Sequence, residues 1–416
     1  MHGITLTKAP ADWEILQQEN GKASVALKGN FQVHPAAIEV GVERVTPVVR
    51  VMREDDNMTV IPWTNADHFT CNEKFQGEFE VTLEIPAGGP YRIDTSLETK
   101  STVPDLTWLY RGDCVLHLGV GNLFIIAGQS NSAGYSRDFC IDPPSMDVHL
   151  YRNRNKWDIA SHPMNESTFA GSLANEEMGV PGVSPYLAFG KTYGKMTGMP
   201  VGLIQTSLGG SPMERWNPKD GDLYLNMLDK IHQTGGKYAG VLWYQGCSDT
   251  NPGPAEKYLE HFREYVEATR KELGYEIPFF TMQLNRQING INDECWGMVR
   301  DAQARAAKEI PGVSVLTTSN LSLCDGIHNT AQANVALGEK LAKQCAHVLN
   351  GKEEYQPPEL VKVERADEAE RKSFQLEGSG IWLKLTCDHV KNCFLVYSAV
   401  GKDSAGECRF RCVAVQ

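Results

Sequence analysis

Ser130 stands where an apolar run stops. Leu123–Ala127 is followed at once by Gly128-Gln129-Ser130-Asn131, a cluster of small and polar residues. A short apolar run ended by a turn signal reads as a buried strand, so Ser130 falls at the carboxyl edge of a sheet, where open α/β sheets bind ligands. A serine there can act as a nucleophile if a base takes its proton. Cys324-Asp-Gly-Ile-His328 offers that base. Asp325 and His328, three apart, can be presented from one loop. A carboxylate beside an imidazole sets its tautomer and stabilises the imidazolium that forms on proton transfer. Alone, the same pair would read as a loop histidine with a capping aspartate.

An acyl-transfer site also needs donors for the developing oxyanion, and backbone N–H groups at glycine turns serve well. Gln205-Thr-Ser-Leu-Gly-Gly-Ser-Pro-Met-Glu-Arg-Trp216 follows one apolar run and offers Gly209 and Gly210. Val241-Leu-Trp-Tyr-Gln-Gly-Cys247 ends another on Gln245, whose amide is a further candidate donor. Glycines at strand ends serve plain turns equally well. Candidate substrate contacts are Gln129 and Asn131 beside the serine, and Arg215 and Trp216 after the second glycine motif. Arg137 and Arg215 would meet a substrate carboxylate or line a solvated face; Trp216 would stack on a sugar ring or simply pack. Cys387, Cys393, Cys408 and Cys412 lack histidine partners and read as free thiols rather than a zinc site.

The elements that must position these residues follow from periodicity. Residues 1–118 carry short alternating segments at Trp13–Leu16, Ala23–Leu27, Val48–Met52 and Phe79–Ile85, separated by glycine-rich turns, which reads as a β-sandwich. From Asn122 the pattern changes. Strand candidates at Leu123–Ala127, Val201–Gln205, Val241–Tyr244, Phe279–Gln283 and Val313–Thr317 alternate with helical patterns at Tyr186–Met196, Leu223–Thr234, Glu256–Leu273, Trp296–Lys308 and Ala331–Leu349. Such alternation predicts a parallel sheet covered on both faces. Asn153–Val183 is long for a loop and is expected to roof the acyl-acceptor side. Residues 351–416 return to β-like patterning, as a small segment expected to pack on its neighbours.

The chain has 416 residues, 41% hydrophobic and 22% charged, with a net charge of -12. That balance argues against nucleic acid, whose phosphates need a basic face. No apolar run approaches the roughly 18 residues of a membrane span. Eleven cysteines, an odd number, and no secretory leader in this chain point to reduced thiols and a cytoplasmic setting. A processed secreted chain would look the same.

Gly128-Gln-Ser-Asn131, Gly209-Gly-Ser211, Trp243-Tyr-Gln-Gly246 and Asp325-Gly-Ile-His328, in that order, resemble the blocks of SGNH-type hydrolases. The likeness is greatest to the sialate O-acetylesterase-like branch that includes the acetylxylan esterases of carbohydrate esterase family six, and it covers residues 119–350. It implies a three-layer α/β/α (flavodoxin-like) domain, no metal or other cofactor, and removal of acetyl groups from an acetylated sugar or oligosaccharide. By the same resemblance Ser130 is the nucleophile, His328 the general base and acid, and Asp325 its orienter. Ser130, Gly210 (or Gly209) and Gln245 would form the oxyanion hole. The family's third block usually reads Gln-Gly-Glu, where this chain has Cys247. A sialate O-acetylesterase is the alternative substrate reading, and a non-catalytic sugar-binding protein on a hydrolase scaffold the alternative class.

Overall fold

The computed structural model describes residues 2–39, 41–102, 108–166, 170–177, 179–235, 237–288, 290–351, 359–365, 382–388, 394–402 and 408–415. They fall into two compact units, Met1–Leu349 and Asn350–Gln416.

The first unit opens with β1 (Gly3–Lys8), β2 (Ile15–Gln17), β3 (Lys22–Gln32), a short helix α1 (Pro35–Glu39), β4 (Val42–Arg53), β5 (Thr59–Asn65), β6 (His68–Phe69), β7 (Gln76–Pro86), β8 (Gly88–Ser101) and β9 (Trp108–Gly128). In β3 every second residue is buried, from Ala23 to Phe31, and in β7 from Phe79 to Ile85. Period-two burial makes a strand half core and half surface. The sheet β1-β3-β7-β6 faces β4, β8 and the first part of β9 across a shared core that includes Leu27, Val49, Ile85, Ile93, Leu97 and Leu118. This is the expected β-sandwich.

Strand β9 does not stop at residue 118. It pairs antiparallel with β8 between Trp108 and Val120, then parallel with later strands from Asn122 onward. One eleven-stranded sheet therefore runs from the sandwich into the α/β layer.

After a short helix α2 (Ser130–Ala133) come β10 (Val148–Tyr151) and β11 (Trp157–Ile159), then α3 (Tyr186–Thr197), β12 (Val201–Gln205), α4 (Asp222–Gln233), β13 (Gly240–Tyr244), α5 (Pro254–Leu273), β14 (Phe279–Met282), α6 (Asp293–Glu309), β15 (Val313–Leu316) and α7 (Ala331–Asn350). Spatial order is β11-β10-β12-β9-β13-β14-β15, all parallel except β11. The chain leaves β9 for β10 and β12 on one side, then crosses to β13 on the other. That reversal puts the crevice of the sheet at the carboxyl end of β9, where Ser130 lies. Helix α5 shows how local sequence sets these layers. Pro254 starts it, left-handed Gly274 ends it, and Tyr258, Phe262, Tyr265 and Val266 form its buried stripe. Strands β10 and β11 are not expected from the sequence; β10 ends just before the 153–183 region and β11 lies inside it.

The second unit is an antiparallel sheet of β16 (Glu359–Arg365), β17 (Trp382–Asp388), β18 (Phe394–Lys402) and β19 (Cys408–Val415), paired in that order. Cys393 and the side chains of Cys387, Cys408 and Cys412 lie outside the described residues. Among the described residues no helix is long and apolar enough to cross a membrane.

Candidate active site

The end of β9 is shaped by a close approach. Gly128 has φ of 125°, and a Cβ there would lie 2.3 Å from the Tyr244 carbonyl of β13. Only glycine permits both the conformation and the contact. The Gln129 N–H then donates to the same carbonyl at 2.9 Å, and the chain turns into α2 with Ser130 at its first position.

His328 arrives from the loop after β15. Its Nε2 is 2.9 Å from Ser130 Oγ, and its Nδ1 is 2.6 Å from Asp325 Oδ2. Asp325 Oδ1 accepts the Ile327 and His328 N–H groups at 2.8 and 2.7 Å. Partial desolvation works to raise the Asp325 pKa, but these hydrogen bonds and the histidine hold it below its ordinary value. The three residues form one hydrogen-bonded series, Asp325–His328–Ser130, geometrically able to move a proton from the hydroxyl to the imidazole. Asn131 fastens the loop from below: its Nδ2 donates to the Ile327 carbonyl at 3.2 Å and its Oδ1 accepts the Asn329 N–H at 3.1 Å.

The oxyanion side differs from the sequence expectation in two places. The Gly209 N–H is taken by Glu177 Oε2 at 2.8 Å, and Gln245 Nε2 donates both its protons, to the Ser211 carbonyl at 3.1 Å and Asp249 Oδ2 at 2.5 Å. Neither has a donor left for substrate. The correction has a physical reason. Asp249, buried and four residues after Gln245, accepts the Met213 N–H as well, so the amide and carboxylate together clamp the loop after Gly210. The N–H groups of Ser130 and Gly210 have no hydrogen-bond partner among the described residues, and Gly210 has φ of 68° with open space where a Cβ would stand. They are the donors the site offers.

The four expected substrate contacts are likewise engaged elsewhere. Gln129 Oε1 accepts the Gly246 and Ser248 N–H groups, and Asn131 is committed to the histidine loop. Arg215 chelates Asp222 at 3.0 and 2.7 Å and donates to the Ala174 carbonyl. Trp216 is fully buried against Trp243 and Tyr265, so it packs and stacks on no sugar. Arg137 is exposed, over the Tyr135 ring at 5.6 Å. For Cys247, burial pushes the thiol up to about 12, which keeps it protonated at neutral pH and a poor nucleophile.

Sequence reasoning missed Tyr135 and Glu177. Tyr135 stacks on the His328 ring, with centroids 5.4 Å apart, and its hydroxyl donates to Glu177 Oε1 at 2.5 Å. The Asn153–Val183 region sends Asn153, Asn165, Asn175 and Glu177 into the interior. The density of amides in that segment is the one signal that could have pointed to burial.

Residues 120–347 match the family model of the carbohydrate esterases described as sialic acid-specific acetylesterases, and the chain belongs to that family. A probable carbohydrate esterase of Arabidopsis thaliana is 26% identical over 245 residues, which span 53% of this chain and 88% of that protein. The crystal structure of a carbohydrate acetylesterase from Xanthomonas citri superposes with a TM-score of 0.53 at 19% identity, covering 99% of this chain and 89% of that one. The second likeness is one of fold alone.

Proposed function

We propose that the protein is a serine esterase that removes O-acetyl groups from carbohydrate through an acetyl-enzyme. The observation that carries this reading is the unbroken Asp325–His328–Ser130 series at the carboxyl edge of the sheet, beside two N–H groups with no partner among the described residues. Ser130 Oγ attacks the acetyl carbonyl carbon while His328 Nε2 accepts the hydroxyl proton. Asp325 holds the imidazole with Nδ1 protonated and stabilises the imidazolium. The carbonyl oxygen, now an anion, lies against the Ser130 and Gly210 N–H groups; one such donor is worth about 3–4 kcal/mol in a comparable site. His328 returns the proton to the sugar oxygen as the C–O bond breaks. Water, deprotonated by the same histidine, then attacks the acetyl-enzyme; as the ester bond to Ser130 breaks, His328 returns the proton to Oγ and acetate leaves.

The substrate is an acetylated xylo-oligosaccharide or a related neutral sugar. Arg137 favours a second reading, an O-acetylated sialic acid. It is an exposed cation beside the Tyr135–His328 stack with no ion pair among the described residues, whereas Arg215 is held by Asp222. Acetate release over acetylated xylo-oligosaccharides, O-acetylated sialic acid and p-nitrophenyl acetate tests both readings. Turnover by the wild type and none by Ser130→Ala is the expected result; equal, slow release by the two proteins refutes the esterase. Preference for the anionic sugar that disappears in Arg137→Ala would select the second substrate.

A further inference from the structure

Glu177 is a buried carboxylate with no cation against it among the described residues, yet all its lone pairs are used. Oε1 accepts Tyr135 Oη at 2.5 Å and the Gly179 N–H at 3.3 Å; Oε2 accepts the Gly209 N–H and Asn165 Nδ2, both at 2.8 Å. Behind it runs a chain of fully buried side chains. Asn165 Oδ1 accepts from Asn153 Nδ2, and Asn153 Oδ1 accepts from Lys230 Nζ at 3.1 Å. Lys230 also donates to Asn175 Oδ1 at 3.1 Å and the Gln205 carbonyl at 2.5 Å. Burial draws its ammonium down to about 7 against the charges of Glu166 and Asp229. Its three acceptors match the three protons of an ammonium, and a neutral amine would leave one of them without a donor. Each amide is thereby fixed in one orientation, accepting from the lysine side and donating toward Glu177.

The other end of the chain is closed by shape. A Cβ on Gly179 would lie 2.1 Å from the Tyr135 hydroxyl oxygen; one on Gly209 would lie 2.4 Å from that oxygen and 2.8 Å from Glu177 Oε1. The hydroxyl is wedged between two backbones that only glycine can supply. Burial and the neighbouring carboxylate push the Tyr135 phenol up, so it remains a donor. Its ring lies against His328. One tyrosine–glutamate pair thus touches the imidazole on one side and, on the other, the residue immediately before the Gly210 donor.

We propose that Tyr135 and Glu177, anchored through Asn165 and Asn153 to Lys230, form a positioning element that sets the Gly209–Gly210 turn in register with the Ser130–His328 pair. The proposal rests on the serine-esterase reading above. Two consecutive glycines leave that turn conformationally free unless something ties it. A donor stabilises an oxyanion only when placed within about 2.7–3.1 Å, and roughly 1 Å of misplacement costs about a hundredfold in rate. Loss of the tie therefore acts on turnover more than on substrate binding.

The test uses the full chain and p-nitrophenyl acetate. Tyr135→Phe keeps the ring and removes the hydroxyl; Glu177→Gln keeps the shape and replaces an acceptor by a donor facing other donors. Both should lower kcat about 10- to 100-fold with KM within about threefold. Because the two residues act as one unit, Tyr135→Phe/Glu177→Gln should lose little more than either alone. If Glu177→Gln does not fold, Tyr135→Phe, which vacates only one oxygen, decides alone. With Ser130→Ala inactive, a kcat within about twofold of wild type in Tyr135→Phe overturns the positioning role, as does a loss confined to Tm. If Ser130→Ala instead turns over like wild type, the esterase reading fails, and this proposal with it.

Discussion

The sandwich and the α/β layer share strand β9 but are built in opposite ways. Among the described residues of the sandwich, the buried polar side chains are Thr46, Thr95, Ser96 and Thr99, single hydroxyls in an apolar core. Thr95 and Ser96 satisfy themselves on the Asp113 and Tyr110 carbonyls of the adjacent β9. Around the sheet crevice the buried set includes Gln129, Asn131, Asn153, Asn165, Asn175, Glu177, Lys230 and Asp249. Burying an amide or a charge is unfavourable unless every lone pair and proton finds a partner. The sandwich therefore holds its shape by area removed from water. The catalytic side holds its loops by directed hydrogen bonds, which cost more to assemble and fix geometry more tightly.

Substitutions can break or sharpen that contrast. The largest effect belongs to the proposed triad. Ser130→Ala and His328→Ala should lower kcat by about 10⁴–10⁶-fold, and Asp325→Asn by about 10⁴-fold by favouring the wrong imidazole tautomer. Steady-state acetate release checks this, with Tm expected to move little. Next comes the sandwich core. Leu27→Ala should cost about 2–5 kcal/mol of stability by urea unfolding, while kcat of the folded protein stays within about twofold. A large loss of kcat there would mean that the apolar core positions the site after all. Asn131→Ala, which leaves the buried Asn329 N–H unpaired, should cost about 1–3 kcal/mol and lower kcat as well, because the histidine loop loses its anchor. Coupled loss of stability and turnover is the signature expected of the polar side alone. Smallest of all, Cys247→Ala should keep kcat within about threefold, since burial keeps that thiol protonated and out of the chemistry.

The contrast also explains what could be read from the residues. Period-two and helical burial are written in consecutive positions, so Val201–Gln205 was expected as a strand and is β12, and Glu256–Leu273 was expected as a helix and lies within α5. Ser130 and the Asp325-x-x-His328 pair were legible for the same reason, as local motifs at strand ends. Gly209 and Gln245 misled because a motif shows which groups can donate, not which acceptors reach them first; Glu177 and Asp249 did. The place of Trp216 beside a motif leaves stacking on a sugar and packing both open, and the short helical turn over Met213–Trp216 decides for packing by directing it into the core. Tyr135 and Glu177 meet across 42 residues, and Asn153 and Lys230 across 77, with no period or spacing to announce either contact.

Covalent labelling tests the central claim most directly. The wild-type protein, treated with a fluorophosphonate and digested, should carry one phosphonyl group on the peptide that contains Ser130. Labelling should be absent in Ser130→Ala and strongly slowed in His328→Ala. A label on Cys247 or any other residue, or none at Ser130 while the protein hydrolyses acetyl esters, would contradict the assignment of Ser130 as the nucleophile.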